Sequence, residues 1–170
     1  MVRLPPFLAF LCFAACGAPS NMKLPGFVLP DFSLLDNEGN AVTRADLLGK
    51  KTVLWFYPKA ATPGWTKQGC GFRDRIQDYE SLGISVYGVS FDNVEANSKF
   101  AGAQGFTFPL LSDVNRELAL GLGVVTDRDA RWANRMTFII DEKGRVIHAE
   151  ETKDVSGQAA HLLDLLRWFL

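Results

Sequence analysis

Cysteine is scarce in this sequence. Its 170 residues include three cysteines, Cys12, Cys16 and Cys70. The first two lie in a leader of distinct composition, so the folded part of the chain has a single thiol and no framework of internal disulfides. A free cysteine is most often a small buried hydrophobic residue. Cys70 therefore acquires a chemical role only if its neighbours provide one.

An excess of one charge and long apolar runs are also missing. The chain has 18 Lys and Arg against 19 Asp and Glu, a net charge of −1, which leaves no electrostatic case for binding nucleic acid or an anionic membrane surface. No stretch approaches the ~20 apolar residues of a membrane span.

The two histidines, His148 and His161, have no Cys, Asp or Glu at ligand spacing, so we expect structural histidines, no metal and no cofactor.

Residues 1–21 differ in composition from the rest. One positive charge precedes the apolar residues 7–15, and Cys16 then stands before small residues. This is the layout of a secretory signal, and Cys16 resembles the lipidated cysteine of bacterial lipoproteins. The layout favours an exported lipoprotein anchored to the membrane through Cys16. The alternative is a cytoplasmic protein whose translation starts at Met22. In both cases we expect one folded domain over residues 22–170.

The folded part alternates between strand and helix patterns. We predict strands over 28–35, 52–57, 84–90, 108–112, 136–140 and 145–149, the second and third being apolar enough for burial on both faces. We predict helices over 44–48, 62–81, 94–104, 115–120 and 158–169, the second with Thr62 as its cap and Pro63 in its first turn. This order predicts an α/β fold with a mixed central sheet flanked by helices on both faces.

The best candidates for a reactive site are residues 58–70, PKAATPGWTKQGC. A side chain in the first turn of a helix lies among free backbone N–H groups at the positive end of the helix dipole. A thiol there has a lowered pKa and becomes a nucleophile. Thr62 offers a hydroxyl beside this position. Arg135, before a later strand, would stabilise a thiolate and the charge that develops as a peroxide O–O bond breaks.

These residues resemble the signature of the peroxiredoxins, and most closely the bacterioferritin comigratory, or Q-type, branch. The family motif Pro-x-x-x-Thr-x-x-Cys is matched by Pro58 and Thr62, and Trp65 stands at the place of the peroxidatic cysteine. Cys70 is at the place where a resolving cysteine often follows in this branch, and Arg135 takes the place of the family arginine.

The resemblance extends over residues 25–170 and carries several expectations. It implies a thioredoxin-like fold with an N-terminal β-hairpin extension. It implies an antioxidant activity, the reduction of hydroperoxides with a thioredoxin-type donor. We expect a monomer or weak dimer. A thiol–disulfide reductase of this fold would need Cys-x-x-Cys, and a copper-delivery protein would need two cysteines and a histidine. The folded part has neither set.

Positions 65 and 70 are too far apart on an intact helix to be bridged. Their Cα atoms would lie roughly 8–9 Å apart, whereas a disulfide needs less than about 7 Å. The first turns of the helix would therefore have to unwind in each cycle. Five residues also rotate a helix by about 140°, so Cys70 points away from Thr62 and Arg135. Gln68 and Arg73 flank it. We interpret both as solvent-facing, or else Arg73 as a residue that helps to hold this helix.

Trp65 leaves three explanations open, because an indole is no nucleophile toward peroxide. The first is loss of function, which one base change can produce and which would leave a binding or structural module, such as a non-catalytic lipoprotein. The second is selenocysteine, whose TGA codon some translation tables render as Trp. It explains why Thr62, Cys70 and a buried Arg135 remain. The third is an engineered or erroneous residue.

Overall fold

The computed structural model describes residues 25–168, and for residue 65 the backbone alone. The leader and Cys16 lie outside the described residues. The strands form one seven-stranded sheet in the order β2-β1-β5-β4-β3-β6-β7. Their bounds are β1 Ser33–Leu35, β2 Ala41–Thr43, β3 Lys51–Phe56, β4 Ile84–Ser90, β5 Leu110–Ser112, β6 Met136–Ile140 and β7 Val146–Glu151.

The described residues also form five α-helices and one 3₁₀ helix, and the last helix follows β7. The 3₁₀ helix is Arg44–Leu47, and the α-helices are α1 Pro63–Arg73, α2 Ile76–Ser81, α3 Val94–Gln104, α4 Glu117–Gly121 and α5 Gln158–Trp168. None of the helices between residues 25 and 168 is long and apolar enough to cross a membrane.

The centre of the sheet is parallel and both of its edges are antiparallel. Strand β3 pairs in parallel with β4, and β4 pairs in parallel with β5, whereas β6 and β1 pair antiparallel to their neighbours. The side chains of β3 alternate between two apolar clusters. Leu54 and Phe56 pack on the face covered by α4, and Val53 and Trp55 pack on the face covered by α1 and α5. The predicted mixed sheet with helices on both faces is confirmed.

The prediction of one helix over residues 62–81 is wrong. Helix α1 ends at Arg73 and α2 begins at Ile76. The backbone tightens between them, with Arg75 N–H donating to the Phe72 carbonyl at 3.1 Å. Neither residue between the helices is Gly or Pro, so no breaker marks this position. The buried aromatic contacts of Phe72 and Tyr79 fix it instead, because tertiary packing overrides local propensity.

Candidate active site

The loop between β3 and α1 is held in place by backbone contacts. Ala60 N–H donates to Asp92 Oδ2 at 2.7 Å, which ties the loop to the end of β4. Ala61 has a φ of 59°, a left-handed conformation that is uncommon for a residue with a Cβ. Thr62 occupies the N-cap position of α1, but its hydroxyl donates to the Lys59 carbonyl at 3.2 Å and makes no cap hydrogen bond. The loop therefore fixes where α1 starts.

Residue 65 lies in the first turn of α1, as predicted. Thr66 N–H donates to the Thr62 carbonyl at 3.1 Å, and residue 65 immediately precedes this bond. Backbone N–H groups at this end of a helix have no intrahelical acceptor and carry the positive end of the dipole. The position therefore favours a side chain that becomes negatively charged.

Arg135 lines an open cavity of about 610 Å³. The cavity is lined by Pro58, residues 132–135 and residues 151–153, and Thr62 is not among its lining residues. Arg135 is exposed, so the expectation of a buried arginine is wrong. The reason is its place one residue before β6, at the rim of the sheet, where its carbonyl accepts a bond of 2.8 Å from Thr152 N–H.

Cys70 lies two turns into α1 and faces the end of α3. Its thiol donates to Gln104 Oε1 at 3.8 Å, and Arg73 Nη1 donates to the Gln104 carbonyl at 2.7 Å. A hydrogen bond to Asp74 raises the pKa of Arg73 above its usual value, although burial opposes this and the neighbouring Cys70 adds to it. Cys70 is thus half-buried beside a guanidinium, outside the cavity that Arg135 lines. The contact of Arg73 with α3 fits the interpretation that it holds α1.

Gln68 is buried, and its interpretation as a solvent-facing residue is wrong. Its side chain is 1% exposed and its Nε2 donates to Gln158 Oε1 at 2.5 Å. Helical rotation is the reason, because position 68 falls on the side of α1 that packs against α5. Sequence reasoning missed Gln158, which had no partner at a recognisable spacing.

The two histidines meet at one carboxylate that sequence reasoning also missed. Glu150 Oε2 lies 3.0 Å from His148 Nε2 and 3.7 Å from His161 Nε2. Burial raises the pKa of Glu150, but hydrogen bonds from His148 and Gln158 and the nearby histidines outweigh it and hold this pKa below its usual value. The spacing of His148 and Glu150 on one strand face was the available signal. Within residues 25–168, no group of three or more His, Cys, Asp or Glu is arranged to hold a metal.

Comparison with known proteins agrees with this geometry. Residues 25–149 match the sequence profile of the AhpC/TSA family. A peroxiredoxin of Mycobacterium tuberculosis is 40% identical over 143 residues, which cover 81% of this chain and 91% of that protein. The chain belongs to the AhpC/TSA family, the peroxiredoxins. The expected resemblance to the bacterioferritin comigratory branch is confirmed.

Two solved structures show the same peroxiredoxin fold. Peroxidoxin BcpB of M. tuberculosis aligns with a TM-score of 0.80 and 34% identity, covering 88% of this chain and 99% of that one. The bacterioferritin comigratory protein of Xanthomonas campestris, whose complexes address its alkyl peroxide reduction activity, aligns with a TM-score of 0.77 and 29% identity, covering 87% and 97%. The fold is thioredoxin-like, as the resemblance implied.

Peroxiredoxins are peroxidases that act on hydroperoxides with thioredoxin-like reductants. In this peroxiredoxin, the structure places Pro58 and Arg135 at one cavity, residue 65 in the helix turn that suits an anion, and Cys70 on a separate face. It does not bring Cys70 to Arg135. Pro58, Thr62, Cys70 and Arg135 therefore match the family pattern in sequence, and Trp65, at the expected reactive position, is the exception.

Proposed function

We propose that this peroxiredoxin reduces hydroperoxides with a selenocysteine at position 65, where the printed sequence has Trp65. The observation that carries the proposal is the arrangement around this position. Residue 65 lies in the first turn of α1, after a loop fixed by Asp92. Pro58, at the other end of that loop, lines one cavity with Arg135. A selenol is more acidic than a thiol and is favoured as an anion at a helix N-terminus.

The reaction follows from these groups. The selenolate attacks the terminal oxygen of the hydroperoxide, so that a Se–O bond forms and the O–O bond breaks. The alkoxide that leaves takes up a proton and departs as an alcohol. Residue 65 is now a selenenic acid, which is two electrons more oxidised. The positive charge of Arg135 stabilises the negative charge that shifts onto the leaving oxygen.

Cys70 completes the cycle. Its thiol attacks selenium, a Se–S bond forms and water is released. A dithiol reductant of the thioredoxin type then reduces the Se–S bond to a selenol and a thiol, and is itself oxidised to a disulfide. Since Cys70 faces Gln104 and not the cavity of Arg135, the start of α1 must unwind before the two side chains can meet.

Alkyl hydroperoxides are the proposed substrate class. The X. campestris relative is described by its alkyl peroxide reduction activity. In this chain the cavity of about 610 Å³ is open and includes Trp132, whose side chain is half-exposed. An apolar ring beside Arg135 suits a substrate with an apolar substituent next to the peroxide group.

The decisive experiment combines the codon with a restored nucleophile. A TGA codon at position 65, followed by a stem-loop, would support selenocysteine. In the recombinant protein, we expect Trp65→Cys to consume an alkyl hydroperoxide with thioredoxin and its reductase, while Trp65→Ser, which offers no comparable nucleophile, does not. If Trp65→Cys folds and shows no consumption, the proposal of a peroxidase site is wrong.

A second function follows if residue 65 is genuinely tryptophan. The printed residue itself favours this candidate, since no thiol or selenol then lies in the first turn of α1. The chain would be a catalytically inactive binding or structural module with a peroxiredoxin fold. A TGG codon, with no hydroperoxide consumption by the protein as printed, would support this function and exclude selenocysteine.

We also propose that the chain is an exported bacterial lipoprotein and a monomer or weak dimer. The support for export is the composition of residues 1–21 and the position of Cys16. Metabolic labelling with a radioactive fatty acid, compared with a Cys16→Ser variant, tests the anchor. A label-free product that starts at Met22 would instead indicate the cytoplasmic form. Analytical ultracentrifugation of residues 22–170 tests the oligomeric state.

A further inference from the structure

The two halves of α1 are fastened to the domain in different ways. In the C-terminal half, Phe72 is fully buried and stacks on Trp55, with ring centroids 5.5 Å apart. In the N-terminal half, Pro63 and Lys67 are exposed, and Gln68 has the buried side chain among those described. Among the described side chains of α1, apolar burial therefore holds the C-terminal end at Phe72, whereas the contact at Gln68 is polar.

That polar contact ends on a rigidly held partner. Gln158, at the start of α5, is 4% exposed and accepts the hydrogen bond of Gln68 at 2.5 Å. Its own Nε2 lies 3.0 Å from Thr137 Oγ1, 2.9 Å from Glu150 Oε1 and 2.8 Å from Thr152 Oγ1. These acceptors fix the amide so that its Nε2 faces β6 and β7 and its oxygen faces α1.

Gln68 depends on this partner. Its Oε1 is buried and has no hydrogen-bond partner in the part of the chain that the structure describes. The bond from its Nε2 to Gln158 thus provides the polar pairing of a buried amide. A buried amide without a partner disfavours the closed state, because water would satisfy it once the helix opened.

We propose that Gln158 is a positioning residue that keeps α1 closed and sets how often its N-terminal half unwinds. The role in turnover rests on the proposed function, in which residue 65 reaches Cys70 only after α1 unwinds. Among the described hydrogen bonds, Gln158 makes none to Cys70 and acts through Gln68. Loss of one buried hydrogen bond of this kind changes an opening equilibrium by about tenfold.

Amide hydrogen exchange tests the inference on the protein with tryptophan at position 65, and it needs no peroxidase activity. In Gln158→Ala we expect protection of the amides of residues 66–70 to fall about tenfold, with the amides of β3 unchanged. Gln77→Ala is the matched control, because Gln77 is an exposed glutamine on the neighbouring α2. The double variant Gln68→Ala/Gln158→Ala should open no further than Gln158→Ala, since both changes remove one contact.

Two outcomes would overturn the inference. One is unchanged protection of residues 66–70 in Gln158→Ala. The other is an equal loss in α1 and β3, which would mean that Gln158 supports the whole fold and not α1 in particular. A second arm adds Gln158→Ala to Trp65→Cys and follows the bridge to Cys70 after one equivalent of peroxide, which should form faster. If Trp65→Cys does not react with peroxide at all, the proposed function fails while the exchange result still decides the role of Gln158.

Discussion

Oxidation of a Trp65→Cys variant should open the start of α1. The two sulfur-bearing positions are five residues apart on a helix whose bounds are Pro63–Arg73. Their Cα atoms lie roughly 8–9 Å apart if the helix is intact, and a disulfide requires less than about 7 Å. The bridge and the first two turns of α1 therefore exclude each other. We expect one equivalent of peroxide to produce the bridge and to expose the amides of residues 64–70.

The opening should stop before Phe72. Burial of a phenylalanine side chain is worth about 1.5–3 kcal/mol, and Phe72 is fully buried with aromatic contacts to Trp55, Tyr79 and Phe108. The polar contact of Gln68 stabilises α1 less, since the net contribution of a hydrogen bond to stability is about 0.5–1.5 kcal/mol. Because the contacts of Phe72 are stronger than the contact of Gln68, we expect the opened segment of α1 to end between residues 70 and 72.

Two measurements on the same samples test this prediction. Peptide mapping under non-reducing conditions detects the bridge, and hydrogen exchange measures the protection of the amides of α1. The control is Trp65→Cys/Cys70→Ser, which reacts with peroxide but has no thiol on α1 to form the bridge. We expect its α1 to stay protected after oxidation. A bridged protein whose residues 64–70 remain as protected as in the reduced form would refute the geometric reasoning. Exposure that reaches Phe72 would refute the boundary.

Three further predictions concern single side chains. In the Trp65→Cys background, Arg135→Met should lower the rate of peroxide consumption by about 10²–10³-fold, the loss seen when one charge-stabilising donor is removed, whereas a thiol assay of the unreacted protein should stay unchanged. Gly69→Ala should weaken the closed α1 and lower its exchange protection, because a Cβ there would lie 2.4 Å from Phe106 Cζ. Glu150→Gln should destabilise the protein near neutral pH. This loss should shrink as pH falls, because the folded pKa of Glu150 lies below its usual value of 4.5. The stabilisation by its carboxylate is full above that usual value and is lost as pH falls through the lowered pKa. Denaturant titrations of both proteins between about pH 7 and pH 3 measure this difference. A difference that stays constant would contradict it.

Local patterns in the sequence predicted most of the fold. The apolar β-rich runs fall on β3 and β4, where burial on both faces leaves no polar alternation. The predicted strands over 136–140 and 145–149 also fall on β6 and β7 to within two residues. The break between α1 and α2 could not be predicted, because it depends on aromatic packing between distant segments and has no local marker.

The sequence predicted the position of residue 65 in the first turn of a helix, but it did not predict the distant residues that hold this helix in place. Pro58, Thr62 and position 65 are close in sequence, so their motif fixes their place at the start of α1. Gln158 lies 90 residues further along the chain from Gln68, and only the packing of α5 brings it there. Glu150 reaches the pair through Gln158. The exposure of Arg135 depends on where β6 begins relative to the sheet rim, which strand patterns locate only to within a few residues.

Residue 65 of the protein from its natural source can be identified by its reactivity. A selenol in the first turn of α1 is ionised well below neutral pH, because it is more acidic than a thiol and the helix end stabilises its anion. We expect iodoacetamide at acidic pH to label residue 65 before Cys70, whose thiol is half-buried against Gln104. Mass spectrometry of the peptide that spans 63–70 locates the label, and selenium shows its isotope pattern. A peptide labelled at Cys70 alone, with tryptophan at position 65, would contradict the selenocysteine proposal and favour the inactive module.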